Sequence, residues 1–292
     1  MQSTICQIID SSGSLPRDVI VQRGICEVPF YYRFSSPDYF RENVDSSTES
    51  FYQHLKEGPE DLPHTSAPNI YDWVNVLEDK YNQGSRDFII TTISSKLSAS
   101  YQTASSAKQM FEDKHSDVRL AVVNSNTCAC GQAAFELAIS AMIGAERSFD
   151  SIVSAIDTMK TKTASLFAVH NLKYMRAGGR IGGATAFIGG LINVKPVCEF
   201  VDGVVRPLKA VPGRRNSLRV MTDIALSRMP DISKYIISIQ NAMYPEDSDY
   251  IEARLRQHGQ NAEIYRSDLG IVVGAHSGPG AIGIGFVPNP LM

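Results

Sequence analysis

Short, wholly apolar stretches alternate with amphipathic ones through the first half of this 292-residue chain, and no other feature constrains the fold as tightly. Residues 5–10, 87–93 and 119–124 are apolar at successive positions rather than at every second one. A strand of that kind must be covered on both faces, as in a parallel sheet with helices on either side. Residues 25–34 read as a further strand. Leu15-Pro16 opens a helix with proline in its first turn. Residues 48–56, 68–81, 98–111, 128–144 and 149–160 read as helices, with Ser66 as the expected cap before Pro68.

The second half has another rhythm. A short strand at 166–169 precedes a glycine-rich segment at 177–183, and residues 181–192 are small and apolar enough to predict a core helix, or to leave room for an apolar ligand between the domains. Asp202-Gly203 separates two strand-like runs, 196–200 and 204–208, which is a hairpin signal. Helices are predicted over 214–228 and 245–258, and strands over 235–240, 263–266, 271–275 and 281–287. The expected fold class is α/β: an N-terminal parallel-sheet α/β domain over 1–163 and a C-terminal α+β domain over 164–292, with a ligand between them. The boundary is placed near 162–165.

Composition removes several function classes. Lys and Arg number 28 against 31 Asp and Glu, for a net charge of -3, so the chain lacks the basic excess that phosphate-backbone binding requires. No run of 18 apolar residues occurs, and Met1-Gln2-Ser3-Thr4 resembles no signal peptide. The expectation is a cytoplasmic protein without a transmembrane segment, which leaves transient membrane contact open. Cys6, Cys26, Cys128, Cys130 and Cys198 are odd in number, with no C-x-x-C pair, so buried reduced thiols are expected rather than a disulfide framework or a metal site. Gly278-Pro279-Gly280-Ala281-Ile282-Gly283 matches a dinucleotide-binding pattern, but a strand follows it where a helix is required. It reads instead as a turn between two strands, and no cofactor is expected.

Ile93-Ser94-Ser95 lies where a buried strand runs into a helix, the usual ligand position in open α/β sheets. Thr65-Ser66-Ala67-Pro68 is a second hydroxyl pair before a helix. Hydroxyls and backbone amides without an arginine suit a single carboxylate better than a phosphate. Neither serine has a neighbouring base in sequence, although Ser95 with His276 would make an acyl hydrolase if the fold joined them. Arg180 reads equally as an anion contact or as a tie between carbonyls.

Several segments together resemble the DegV family of fatty-acid-binding proteins, the group that includes the fatty-acid-binding subunits of bacterial fatty acid kinase. They are Asp10-Ser11-Ser12, Thr65-Ser66-Ala67-Pro68, residues 93–102, Gly178-Gly179-Arg180-Ile181, residues 191–196 and His276 through Gly280, in the family's order. The resemblance implies two domains with a long-chain fatty acid between them. It implies that Thr65, Ser94, Ser95 and His276 hold the carboxylate, with Thr65 and Ser95 favoured among the hydroxyls. It also implies a non-catalytic carrier that presents the acid to a separate ATP-binding kinase for acyl phosphate formation. Ala99-Ser100 replaces the family's Gly-Thr, and Pro212 stands in the kinase-docking stretch, leaving Arg214 or Arg215 to dock the partner. A sensor of a small polar metabolite is the remaining alternative.

Overall fold

The computed structural model describes residues 5–187 and 194–292. In chain order its elements are β1 (Ile5–Asp10), α1 (Arg17–Gln22), β2 (Cys26–Val28), β3 (Tyr31–Arg33), β4 (Phe40–Arg41), α2 (Thr48–Glu57), β5 (His64–Ser66), α3 (Ile70–Asn82), β6 (Asp87–Thr92), α4 (Ser100–Lys114), β7 (Arg119–Asn124), α5 (Ala129–Gly144) and α6 (Phe149–Lys162). There follow β8 (Ala164–Ala168), α7 (Lys173–Ala177), β9 (Val194–Val201), β10 (Val204–Pro212), α8 (Arg214–Arg228), β11 (Tyr235–Asn241), α9 (Pro245–Arg256), β12 (Glu263–Asp268), α10 (Ile271–Ser277) and β13 (Ile282–Pro288).

The expected parallel sheet is present, in the order β2-β1-β6-β7. β1 and β6 are buried at every position, which is why they read as continuous apolar runs. Trp73 and Leu77 of α3 with Phe111 of α4 cover one face. Residues of α1, α5 and α6 cover the other. A second, six-stranded sheet runs β10-β9-β8-β13-β11-β12, antiparallel except for β11 beside β12. Its outer face is packed by α8 and α9.

Helix α5 lies between the two sheets. All residues 129–140 are buried, so it shows none of the amphipathic pattern of a surface helix. Its close seat on β13 depends on Gly283 and Gly285. A β-carbon at Gly285 would lie 2.0 Å from the Cys130 carbonyl oxygen, and one at Gly283 would lie 2.7 Å from Cys130 Sγ.

Four local expectations are corrected. The single strand predicted at 25–34 is two, β2 in the parallel sheet and β3 in a small antiparallel sheet ordered β4-β3-β5. Pro29, which has no N–H to give a ladder, stands at the break. The cap of α3 is Asn69, in a reciprocal capping box with Asp72, while Ser66 ends β5. Residues 271–275 form helix α10 rather than a strand, and the Gly-Pro-Gly turn therefore joins a helix to β13. The β-branched Ile-Val-Val run suggests a strand, yet Ile271, Gly274 and Ala275 are buried at helical spacing. Residues 182–187 form a short 3-10 helix in which Gly182, Gly183, Thr185 and Ala186 are exposed. The rest of the predicted core helix, and residues 191–193 of the 191–196 motif, lie outside the described residues. The Asp202-Gly203 turn is found as expected, with φ of 50° and 79°, joining β9 to β10.

Candidate functional site

A cavity of about 300 Å³ opens where the two sheets meet. The loop after β6, the end of β5 and helix α10 border it on one side. The start of α5 and the inner face of the six-stranded sheet close it on the other. Phe30, Ile93, Leu97, Met175, Phe167 and Phe200 give it apolar walls. Polar groups gather at its two ends. Thr65, Ser66, Ser98 and Arg180 stand at the partly exposed mouth, whereas Cys130, Ser165 and Gln240 stand on the buried floor.

The mouth is organised by one contact across the molecule. Thr65 is fixed on β5 by pairing with Tyr32 of β3, and His276 sits in the last turn of α10. Thr65 Oγ1 and His276 Nε2 are 2.8 Å apart, although 211 positions separate the residues. Burial, with the nearby Arg180 charge, pushes the His276 imidazole down to about 4, so it is neutral near pH 7. Its Nδ1 has no partner among the described residues and faces Gly178, where a β-carbon would lie 2.0 Å away. Arg180 donates from Nε to the Leu97 carbonyl (3.1 Å) and from an Nη to the Gly178 carbonyl (2.6 Å). It ties the glycine-rich segment to the serine loop while lining the cavity.

Helix α10 is held at its other end by a buried polar cluster. Ser14 Oγ accepts from Gly270 N, Glu42 Oε1 accepts from Val272 N, and Tyr52 donates to the Leu269 carbonyl. Burial pushes the Glu42 carboxyl up to about 8, even though Ser11 donates to it at 2.5 Å. Asp10 performs a similar office for the serine loop. Fully buried, it accepts from Ile93 N, Ser100 Oγ, Ser12 Oγ and Gln132 Nε2, and so fixes both ends of the 93–100 segment. Ser100, at the family's Thr position, supplies one of those hydroxyls.

The structure brings Thr65, His276 and Arg180 together on the cavity and leaves Ser94 and Ser95 off its lining. Ser94 is buried and donates to the Gly203 carbonyl of the β9–β10 turn at 2.8 Å. Ser95 is exposed, and its Oγ accepts from Asn124 Nδ2 at 2.8 Å. From the same loop it is Ser98 that lines the cavity, a residue the sequence reading passes over. Its signal is its place two residues before α4, where its Oγ accepts from Ser100 N. Arg214 and Arg215 begin α8 away from the cavity. Arg214 Nε pairs with Asp247 at 2.9 Å, and the Arg215 guanidinium lies 3.6 Å from the Tyr250 ring centroid.

Among the described residues no cluster of His, Cys, Asp and Glu could hold a metal ion, and no helix is long and apolar enough to cross a membrane. A family model described as that of uncharacterised proteins of the DegV family matches residues 5–289. A DegV domain-containing protein of Staphylococcus aureus is 28% identical over 284 residues, 97% of each chain. Among solved structures, a stearic acid-binding protein from Eubacterium ventriosum superposes with a TM-score of 0.91 at 24% identity, covering 99% of both chains. DegV from Bacillus subtilis, a fatty acid binding protein, superposes at 0.86 with 25% identity, over 97% of this chain and 99% of that one.

Proposed function

The chain belongs to the DegV family, and from that premise we propose that it binds a long-chain fatty acid, with the carboxylate at the Thr65–His276 mouth and the tail in the cavity. One observation carries this reading: a hydroxyl–imidazole pair from two distant parts of the chain caps a cavity whose walls are mainly apolar. A bare N–H at Nδ1, facing the Gly178 backbone, would cost more than a bare lone pair there. His276 is therefore the Nε2–H tautomer and donates to Thr65 Oγ1. That leaves the Thr65 hydroxyl hydrogen free to donate to a carboxylate oxygen, with Ser98 and the Arg180 charge beside it.

The energetics divide in the same way. About 16 buried carbons gain on the order of 10 kcal/mol before costs, and an unpartnered carboxylate would lose several of those. Apolar area supplies affinity, and the mouth sets which end of the acid faces out. Ser94 and Ser95 enter as supports, one tying the loop to the β9–β10 turn and the other to Asn124.

The protein itself performs no chemistry in this proposal. It presents the carboxyl end to a separate ATP-binding kinase, the role that the family resemblance implies, with the first turn of α8 as the docking segment. A hydrolase of Ser95 and His276 finds no support in the geometry. Ser95 is bonded to Asn124, His276 is bonded to Thr65, and no acceptor orients Nδ1 among the described residues. Five unlinked cysteines, Cys6 and Cys26 lying 3.9 Å apart at sulfur, support a cytoplasmic location.

Organic extraction of the purified protein followed by mass spectrometry tests the proposal. A long-chain acid near one equivalent is expected. A protein that retains none, and that a fluorescent fatty acid fails to bind, would sink it.

A further inference from the structure

The floor of the cavity holds a polar group that a plain hydrocarbon tail does not use. Gln240 of β11 pairs in register with Gly283 of β13, and Gly283 pairs with Phe167 of β8. Residues directly opposed in antiparallel strands share a face. Gln240, Gly283 and Phe167 therefore form one row, and all three residues line the cavity, with Cys130 Sγ lying over Gly283. Gln240 is 0% exposed.

Its amide orientation is fixed by two carbonyls. Nε2 donates to Gly13 O at 2.7 Å and to Ser14 O at 3.2 Å, and a reversed amide would set oxygen against oxygen. Oε1 is thereby the free end, and no donor among the described residues reaches it. Ser165 Oγ, also on the floor, lies 3.4 Å from Cys130 Sγ, and that thiol points toward the Leu166 carbonyl. A fully buried acceptor without a donor is costly enough that native proteins rarely keep one.

We propose that Gln240 Oε1 is a second polar subsite, which accepts from a hydroxyl carried on the ligand's hydrocarbon chain. The ligand class is then the hydroxylated long-chain fatty acid, anchored at the carboxylate by the mouth and at the chain hydroxyl by the floor. This rests on the fatty-acid reading above. Two anchors at fixed separation demand one position of the hydroxyl along the chain, so the subsite selects a positional isomer and not polarity in general.

The test is displacement of a fluorescent fatty acid by stearic acid and by a positional series of monohydroxystearic acids, on the intact protein. One isomer is expected to compete about tenfold better than stearic acid, with isomers to either side of it weaker. In Gln240→Met, stearic acid should still compete while the preference among isomers disappears. If Gln240→Met does not fold, the wild-type profile decides alone. A wild type that binds stearic acid at least as well as every isomer overturns the proposal. So does an isomer preference that survives in folded Gln240→Met. If stearic acid binds and only the hydroxyl preference is missing, the subsite alone is refuted. If neither acid competes, the fatty-acid reading falls as well.

Discussion

At the mouth of the cavity a hydroxyl and an imidazole answer each other and only the far ring nitrogen lacks a partner among the described residues, whereas on its floor an amide oxygen is left over. Thr65 and His276 come from opposite parts of the chain and meet at 2.8 Å, and Arg180 spends its hydrogen bonds on the carbonyls of Leu97 and Gly178. The floor has Gln240 with a committed amide nitrogen and an uncommitted oxygen, in a fully buried place. A paired mouth is set in position before any ligand arrives, so little ordering is left for binding to supply. A lone buried acceptor is already desolvated in the free protein, so in the proposed reading a ligand hydroxyl that meets it gains a hydrogen bond and a plain chain gains none. Under the proposed function the two ends would divide recognition between holding and choosing.

The largest expected effect comes from disturbing the mouth without touching its hydrogen-bonding groups. Gly178 has an ordinary φ of -78°, so Gly178→Ala brings no backbone strain, but its β-carbon would push the His276 ring off Thr65. Affinity for a fatty acid should fall about a hundredfold by titration, with the fold retained by circular dichroism.

Next in size is a pH signature at the two ends of α10. The folded chain holds His276 at about 4 against 6.5 unfolded. Stability from this group is intact above pH 6.5 and is lost as pH falls toward 4, because the unfolded state protonates first. Glu42 is held at about 8 against 4.5, so its contribution is intact below pH 4.5 and is lost as pH rises toward 8. Denaturant titrations across this range should show the acid limb changing by about 3 kcal/mol and the alkaline limb by about 5 kcal/mol. His276→Gln should reduce the acid limb alone and Glu42→Gln the alkaline limb alone, the rest of which belongs to Asp10, Glu27 and Glu136, carboxyls that burial also pushes up. A limb that is not reduced in its variant assigns it to another group.

The smallest effects separate Thr65 from Ser95. Thr65→Val should weaken a fatty acid about tenfold and its methyl ester hardly at all. Ser95→Ala, outside the cavity lining, should leave both ligands within about twofold of wild type. Equal losses for acid and ester in Thr65→Val would remove the carboxylate from the mouth.

The parallel sheet was legible because burial on both faces leaves an unbroken apolar run, as in β1 and β6. The meeting of Thr65 and His276 was foreshadowed only by the motifs around them, since neither carries a local signal of its own. Helix α10 was not. Its Ile-Val-Val start favours a strand, and what holds it helical is Glu42, Ser14 and Tyr52, more than 200 residues earlier. The facing of Ser94 and Ser95 was also hidden. Once the chain leaves β6 the two-residue alternation ends, and Ser94 turns toward a carbonyl 109 positions away. Gln240 gave no sign at all, because what distinguishes it is an absent partner, and a sequence does not record absences.

Part of the cavity floor is bare main chain at Gly283. A wall of side chains can be trimmed as well as thickened, but a peptide backbone offers nothing to remove. Any side chain added at that spot would meet Cys130 Sγ first, and would lift α5 from the sheet before it could trim the space for a guest. Any descendant of this protein that accommodates a longer one must find the space elsewhere.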